Sequence, residues 1–218
     1  MINFSIVIPL FNEGKNIINL INEIFSSLNS NNLFKYEIIL VNDGSTDNTI
    51  KIIDKIKLTF DNIKIINNTS NLGQSESLRI GISNSTNDAI VTIDGDGQNN
   101  PMDIPKLITK YFSEENIKLV GGLRLKRQDS LSKKIASKLA NKIRMKILKD
   151  ECRDTGCSLK VFDKNIFLNF KFFSGIHRFL PALFKGFGYK TVFLEVDHRK
   201  RNFGLSKYGN FGRLIRGI

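Results

Sequence analysis

Three features of this 218-residue sequence predict an α/β fold with a mostly parallel central sheet flanked by helices. Short apolar runs alternate with stretches whose apolar residues recur at helical spacing, a β-α repeat of roughly 30 residues through the first half. Each strand of that half runs into a loop carrying a carboxylate or amide, as expected where the carboxyl edge of a parallel sheet forms a ligand crevice. The composition, 41% hydrophobic and 25% charged, is that of a soluble chain long enough to bury a sizeable core.

The elements follow in order. Phe4 to Leu10 predicts a strand, and Ile17, Leu20, Ile21, Ile24 and Leu28 then recur at helical spacing. Between them, Pro9-Leu10-Phe11-Asn12-Glu13 is a loop, where Glu13 either favours the helix N-terminus or accepts from a sugar hydroxyl or base N–H. Glu37 to Val41 predicts the second strand and Ile50, Ile53, Ile56 and Phe60 the second helix. Asp43 follows that strand directly, within reach of a ligand over the sheet edge, whereas Thr46 and Asp47 are good helix caps. Ile63 to Ile66 is a third strand. Asn71-Leu72-Gly73-Gln74 opens a helix running to about Ser83, whose first N–H groups either serve an anion or are capped.

The fourth strand, Ala89 to Ile93, leads into Asp94-Gly95-Asp96-Gly97-Gln98. Two carboxylates and an amide at a strand end make a hard oxygen site suited to Mg²⁺ or Mn²⁺; an isolated Asp-x-Asp is otherwise a solvated turn. Glu13, Asp43, Asp94 and Asp96 therefore surround one crevice if their strands are neighbours. A helix over Asp103 to Phe112 and a strand over Ile117 to Gly122 lead to Arg124. Leu131, Ile135, Leu139, Ile143 and Ile147 alternate with Lys134, Lys138, Lys142 and Lys146, giving a basic amphipathic helix that docks on the core or lies on an anionic bilayer. Asp154-Thr155-Gly156-Cys157 turns into a strand ending near Phe162, with Asp154 capping its own turn. Phe179, Leu180, Leu183 and Phe184 mark a helix, and Val192 to Val196 the last strand. A basic stretch follows, holding Arg201, Ser206 and Lys207 with Phe203 and Leu205 between them. Guanidinium forks and a lysine there suit phosphate oxygens.

Charge divides the chain. Residues 1–100 hold 7 Lys+Arg against 11 Asp+Glu, and residues 101–218 hold 26 against 10, so the net +12 arises entirely in the second half. That half is expected to face something anionic. The two cysteines, Cys152 and Cys157, make no disulfide framework, and with only two histidines there is no zinc pattern. The sequence lacks a signal peptide pattern and an apolar run of membrane-spanning length, which reads as a cytoplasmic protein.

These stretches together resemble the family-2 inverting glycosyltransferases with a GT-A, Rossmann-like fold, and among them the polyprenyl-phosphate (dolichyl- or undecaprenyl-phosphate) sugar transferases. The resemblance rests on Ile8-Pro9-Leu10-Phe11-Asn12-Glu13, Val41-Asn42-Asp43-Gly44-Ser45-Thr46-Asp47, Asp94-Gly95-Asp96-Gly97-Gln98, Asp154-Thr155-Gly156-Cys157 and Arg201-Asn202-Phe203-Gly204-Leu205-Ser206-Lys207-Tyr208, in that order. It implies one domain over 1–218, with residues 1–100 holding the nucleotide and 101–218 the acceptor. Pro9, Phe11, Glu13 and Asp43 would hold the nucleoside of a UDP- or GDP-sugar. Asp94, Asp96 and Gln98 would bind the Mg²⁺ or Mn²⁺ that bridges its diphosphate. Arg124, Arg201, Ser206 and Lys207 would attend the sugar-phosphate and the acceptor phosphate, with Asp96, Arg124 and Arg201 in catalytic roles. The sequence departs from the family pattern at Asn42, where Asp is frequent, at Gly95, where Ala is frequent, and at Gly97, where a larger apolar residue is common.

The chemistry the resemblance implies is transfer with inversion to a phosphate already ionised at neutral pH, which needs positioning and no base. Family members acting on hydroxyls carry a Glu-Asp pair late in the domain and a Gln-x-x-Arg-Trp signature. The first has no obvious counterpart after residue 116, and the chain has no Trp, which favours a phosphate acceptor over the alternative within the family, a polysaccharide or other hydroxyl acceptor. The acceptor is then expected in an anionic membrane surface, with the protein peripheral on its cytoplasmic face. A nucleic-acid-binding protein, the other class a pI near 9.7 suggests, shows no recognisable motif here, so no nucleic-acid partner is expected. The loop after strand one lacks the Gly-x-Gly-x-x-Gly of a dehydrogenase and the glycine-rich basic loop of a nucleotidyltransferase.

Overall fold

The computed structural model describes residues 1–29, 33–124 and 152–201. The expected basic amphipathic helix and the stretch with Phe203, Leu205, Ser206 and Lys207 lie outside the described residues. In chain order the elements are β1 (Ile2–Leu10), α1 (Ile17–Leu28), β2 (Phe34–Asn42), α2 (Thr49–Thr59), β3 (Ile63–Asn67), α3 (Gln74–Ser83), β4 (Ala89–Thr92), a 3₁₀ turn (Pro101–Asp103), α4 (Ile104–Phe112), β5 (Ile117–Arg124), β6 (Lys160–Asp163), α5 (Lys164–Asn169), α6 (Ile176–Gly186) and β7 (Lys190–Val196). Periodicity located every predicted element within the described residues. The six-residue α5 was not expected, because it holds too few turns to show a period.

The seven strands form one sheet in the order β3-β2-β1-β4-β6-β5-β7. All neighbours are parallel except β6, which runs antiparallel to both β4 and β5. Pleating sends alternate side chains to opposite faces. Phe4, Ile6, Ile8 and Leu10 of β1 pack under Ile17, Leu20, Ile21, Ile24 and Leu28 of α1, together with α2 and α4. Val7, Ile39, Val41, Ile90 and Phe162 pack on the other face with Leu78, Ile82, Leu180 and Phe184 of α3 and α6. Burial on both faces is why these strands read as nearly continuous apolar runs.

Two consequences position the site. First, β2, β1 and β4 are adjacent, and the strand order reverses between β1 and β4, the switch point at which open α/β sheets bind ligands. Second, because β6 is reversed, its start lies at the same edge as the ends of β4, β5 and β7, with Thr92 beside Lys160 and Gly121 beside Lys160. Glu13, Asp43, Asp94, Asp96, Arg124, Asp154 and Arg201 therefore all belong to one edge of the sheet.

Candidate active site

The β1 loop is locked to the β2 loop. Asn12, in the left-handed region at φ 58°, accepts at Oδ1 from the Thr46 and Asp47 N–H groups. Asp47 accepts from the Thr49 and Gly14 N–H groups, tying the start of α2 to the β1 loop. This knot holds Glu13, only 5% exposed, with its Oε2 accepting from Asn16 Nδ2 at 2.8 Å.

Asp43, 3% exposed, ends β2 and grips the loop before α3. Its Oδ1 accepts from the Leu72 N–H at 2.8 Å and from Asn68 Nδ2 at 3.0 Å, and its Oδ2 from the Gly73 N–H at 2.9 Å. The loop leading into α3 is thus held by a carboxylate distant in sequence. Asn42 turns its amide to two jobs, donating to Asn67 Oδ1 and accepting from the Ser45 N–H, so here the amide spans two loops as a carboxylate could not.

After β4 the chain turns through Gly95, which packs against the β1 end. A Cβ there would lie 2.4 Å from Leu10 Cδ2 and 3.5 Å from Glu13 Cγ, so a larger residue would have to push the far end of Leu10 aside. Asp94 accepts from Gln74 Nε2 at 2.7 Å, and its own N–H donates to Ser158 Oγ. Burial and the neighbouring Asp96 push the Asp94 carboxyl up to about 6. Asp96 accepts at Oδ1 from the Gln98 N–H and at Oδ2 from Arg201 Nη2, 2.5 Å away. Burial works against the Arg201 charge, but the hydrogen bond and charge of Asp96, with Glu13 and Asp94 nearby, raise its pKa.

Arg201 reaches Asp96 because the chain leaving β7 is laid back along the β4 loop. Asn99 and His198 form an antiparallel bridge, and the Arg199 N–H donates to the Gln98 carbonyl at 2.8 Å. The Arg199 guanidinium meets Glu23 and Asn100 farther out. Gln98 Nε2 donates to the Arg199 carbonyl, leaving Oε1 as the atom with which it would reach a cation.

Arg124 ends β5 and is held in a fork by Asp154: Nε to Oδ2 at 2.6 Å and Nη2 to Oδ1 at 2.8 Å, with its N–H on Oδ2 and Nη1 3.3 Å from His198 Nε2. Whatever Asp154 does within its own turn, its carboxylate holds the Arg124 fork. A Cβ at Gly156 would lie 2.9 Å from Arg124 Nη2, so the Asp-Thr-Gly turn needs glycine to admit the fork.

A model of the family described as "Glycosyl transferase family 2" matches residues 5–170. The chain belongs to glycosyltransferase family 2. It is 35% identical over 213 residues to the undecaprenyl-phosphate 4-deoxy-4-formamido-L-arabinose transferase of Proteus mirabilis, covering 97% of this chain and 64% of that one. The chain thus spans a little under two-thirds of the length of that curated relative. Among solved structures, glucosyl-3-phosphoglycerate synthase of Mycobacterium tuberculosis with Mn²⁺, UDP and phosphoglyceric acid superposes with a TM-score of 0.66 at 22% identity, covering 91% of this chain and 71% of that one. A mannosyltransferase of Pyrobaculum calidifontis with GDP-Man and Mn²⁺ gives 0.64 at 14% identity, covering 88% and 55%. These likenesses establish the GT-A fold of this family-2 chain.

The family pattern directs attention to a divalent cation at Asp94, Asp96 and Gln98. Among the described residues no three His, Cys, Asp or Glu side chains gather as a metal cluster. The donors nevertheless fit a hard cation that takes one or two carboxylates and completes its shell with phosphates. Asp96 already holds a cationic group, and burial together with the neighbouring Asp96 raises Asp94, a charge cost that a divalent ion would offset. Beside Asp94 lie groups that no sequence motif marked: Gln74, Ser75, Ser158, Lys160 and His177. Ser75 Oγ accepts from the Gly175 N–H and lies 2.8 Å from His177 Nδ1, tying the starts of α3 and α6 together. Burial, then Lys160 and Arg178, push the His177 imidazole down to about 3, so the ring is neutral at neutral pH. The one signal in the sequence was Lys160 itself, a lysine amid Leu159, Val161 and Phe162.

Proposed function

We propose that this chain is a metal-dependent inverting glycosyltransferase that moves a hexose from a UDP- or GDP-sugar to a polyprenyl phosphate, undecaprenyl or dolichyl, at the cytoplasmic membrane face. The observation that carries the reading is the gathering of Glu13, Asp94, Asp96 and Arg201 at the switch point between β1 and β4, with Asp43 at the end of the neighbouring β2. The relative from Proteus mirabilis, named for an undecaprenyl-phosphate acceptor, supports that acceptor, and the neighbours bound to UDP and GDP-Man support a nucleotide-sugar donor.

In this reading the whole of 1–218 acts as one domain, the first hundred residues taking the nucleotide and the rest the acceptor. Pro9, Phe11, Glu13 and Asp43 frame the nucleoside, Asp43 by fixing the loop before α3 against it. Asp94, Asp96 and Gln98 would hold Mg²⁺ or Mn²⁺, which when bound neutralises charge on the departing diphosphate. Arg201, now on Asp96, is positioned to turn its guanidinium to phosphate oxygens, with Ser206 and Lys207 following it in the chain. Arg124, oriented by Asp154, presents fixed positive charge at the same edge. Donors fixed in advance stabilise charge as it develops without reorganising during reaction. The basic second half holds the domain against an anionic bilayer, where each basic residue near the surface adds about 1 kcal/mol.

The test is Asp96→Ala. Transfer and metal-dependent donor binding should vanish while circular dichroism shows the fold retained; full activity in that variant ends the proposal. Arg201→Ala and Lys207→Ala should harm use of the lipid acceptor more than donor binding. Normal turnover of both variants with polyprenyl phosphate would show the acceptor assignment to be wrong.

A further inference from the structure

Lys160 begins β6 directly beside Thr92, two residues before Asp94, and is 3% exposed. Its Nζ donates to the Cys157 carbonyl, a neutral partner. A buried ammonium is costly unless an opposite charge lies close. Among the described residues, Arg124 is held by Asp154, Arg201 by Asp96 and Arg199 by Glu23. Asp94 lies near enough for the Lys160 charge to act on it, as the Arg124 charge also does. Both residues, with Thr92 and His177, line a cavity of about 20 Å³ behind the β4 end, room for about one water. His177, neutral there, adds no charge of its own.

We propose that Lys160 is a positioning residue whose buried ammonium is the fixed counter-charge of Asp94, weakening the hold of Asp94 and Asp96 on a divalent cation until a diphosphate accompanies it. This rests on the assignment of Asp94 and Asp96 to the cation. A cation and a diphosphate bring opposite charges, so together they add little net charge beside Lys160. A cation alone meets Lys160 unopposed. The weak hold on the bare ion would also let the diphosphate product leave with it.

The test measures Mn²⁺ binding to the full 218-residue chain by calorimetry and by the electron paramagnetic resonance of free Mn²⁺, without and with UDP or GDP. Lys160→Gln keeps a donor for the Cys157 carbonyl and Lys160→Met removes it. Both should bind Mn²⁺ about tenfold more tightly than wild type without nucleotide, equivalent to about 1.4 kcal/mol. Lys160→Arg should stay as weak as wild type. Unchanged or weaker Mn²⁺ affinity in whichever neutral variant folds overturns the proposal. So does failure of both neutral variants to fold while Lys160→Arg folds, which would assign the ammonium to stability alone. No Mn²⁺ binding by the wild type even with UDP or GDP would instead remove the cation site itself, and this inference with it.

Discussion

At Asp43, three donors from a loop about thirty residues away converge on one nearly buried carboxylate, and the side chain pins the entrance of α3 before any ligand arrives. Asp43→Ala would leave those donors without their acceptor, costing about 1–3 kcal/mol. The expected result is a lowered melting temperature with weakened nucleotide binding; an unchanged melting temperature would mean the loop holds by other contacts. Gly95 makes a sterically smaller point. Gly95→Ala pushes a methyl toward the far end of Leu10, a flexible neighbour, so thermal denaturation should show a modest loss of about 1–3 kcal/mol. Glu37 supplies the pH dependence. Burial pushes its carboxyl up, but hydrogen bonds from Ser5 and from the N–H and hydroxyl of Thr86, with the Lys64 charge, outweigh that and hold it below the ordinary value. A folded pKa below the unfolded one gives stability that is present above the usual carboxylate range and is lost as pH falls through the folded value. Glu37→Gln should therefore be less stable at neutral pH and show a flatter acid limb in urea melts; parallel acid limbs would deny Glu37 that role.

At the level of elements, the reversed strand β6 does most to assemble the site. Its approach through Asp154 to Ser158 fastens the ends of β4 and β5 together: Asp154 takes the Arg124 fork, while Ser158 accepts from the Asp94 N–H and donates to Asn99 Oδ1. Arg124 and Asp154 are largely buried, with side chains 12% and 7% exposed. Removing one partner of such a pair costs about 3–5 kcal/mol, whereas replacing both with apolar groups of similar size is often nearly neutral. Asp154→Ala should thus be much less stable than the double variant Arg124→Met with Asp154→Leu in chemical denaturation. The double variant also separates the two jobs of Arg124. If it is stable but inactive, the guanidinium serves the reaction; if it is stable and active, the fork serves only to join two elements.

Across the whole molecule, charge separates the acid-edged first half from the basic second half, the basis of the proposed contact with an anionic bilayer. Among the described residues no helix is long and apolar enough to cross a membrane. The proposed peripheral contact predicts co-sedimentation with vesicles containing anionic lipid, falling steeply as salt is raised, and little with neutral vesicles; salt-insensitive or absent binding would remove the membrane from the proposal. By itself the sequence determined the alternation of strands and helices and the parallel character of the first half, because apolar periodicity is a local property of consecutive residues. It also marked Glu13, Asp43, Asp94 and Asp96, since strand ends in a parallel sheet share an edge. Strand order, the reversal of β6, the Arg124 fork on Asp154, the seat of Arg201 on Asp96 and the placing of Lys160 and His177 behind Asp94 were decided only in three dimensions. Those pairings join residues separated by 30 to more than 100 positions, and no local pattern records which distant partner satisfies a buried charge. A carboxylate at a strand end looks the same in sequence whether it waits for a cation or already holds an arginine; packing alone settles which groups arrive beside it.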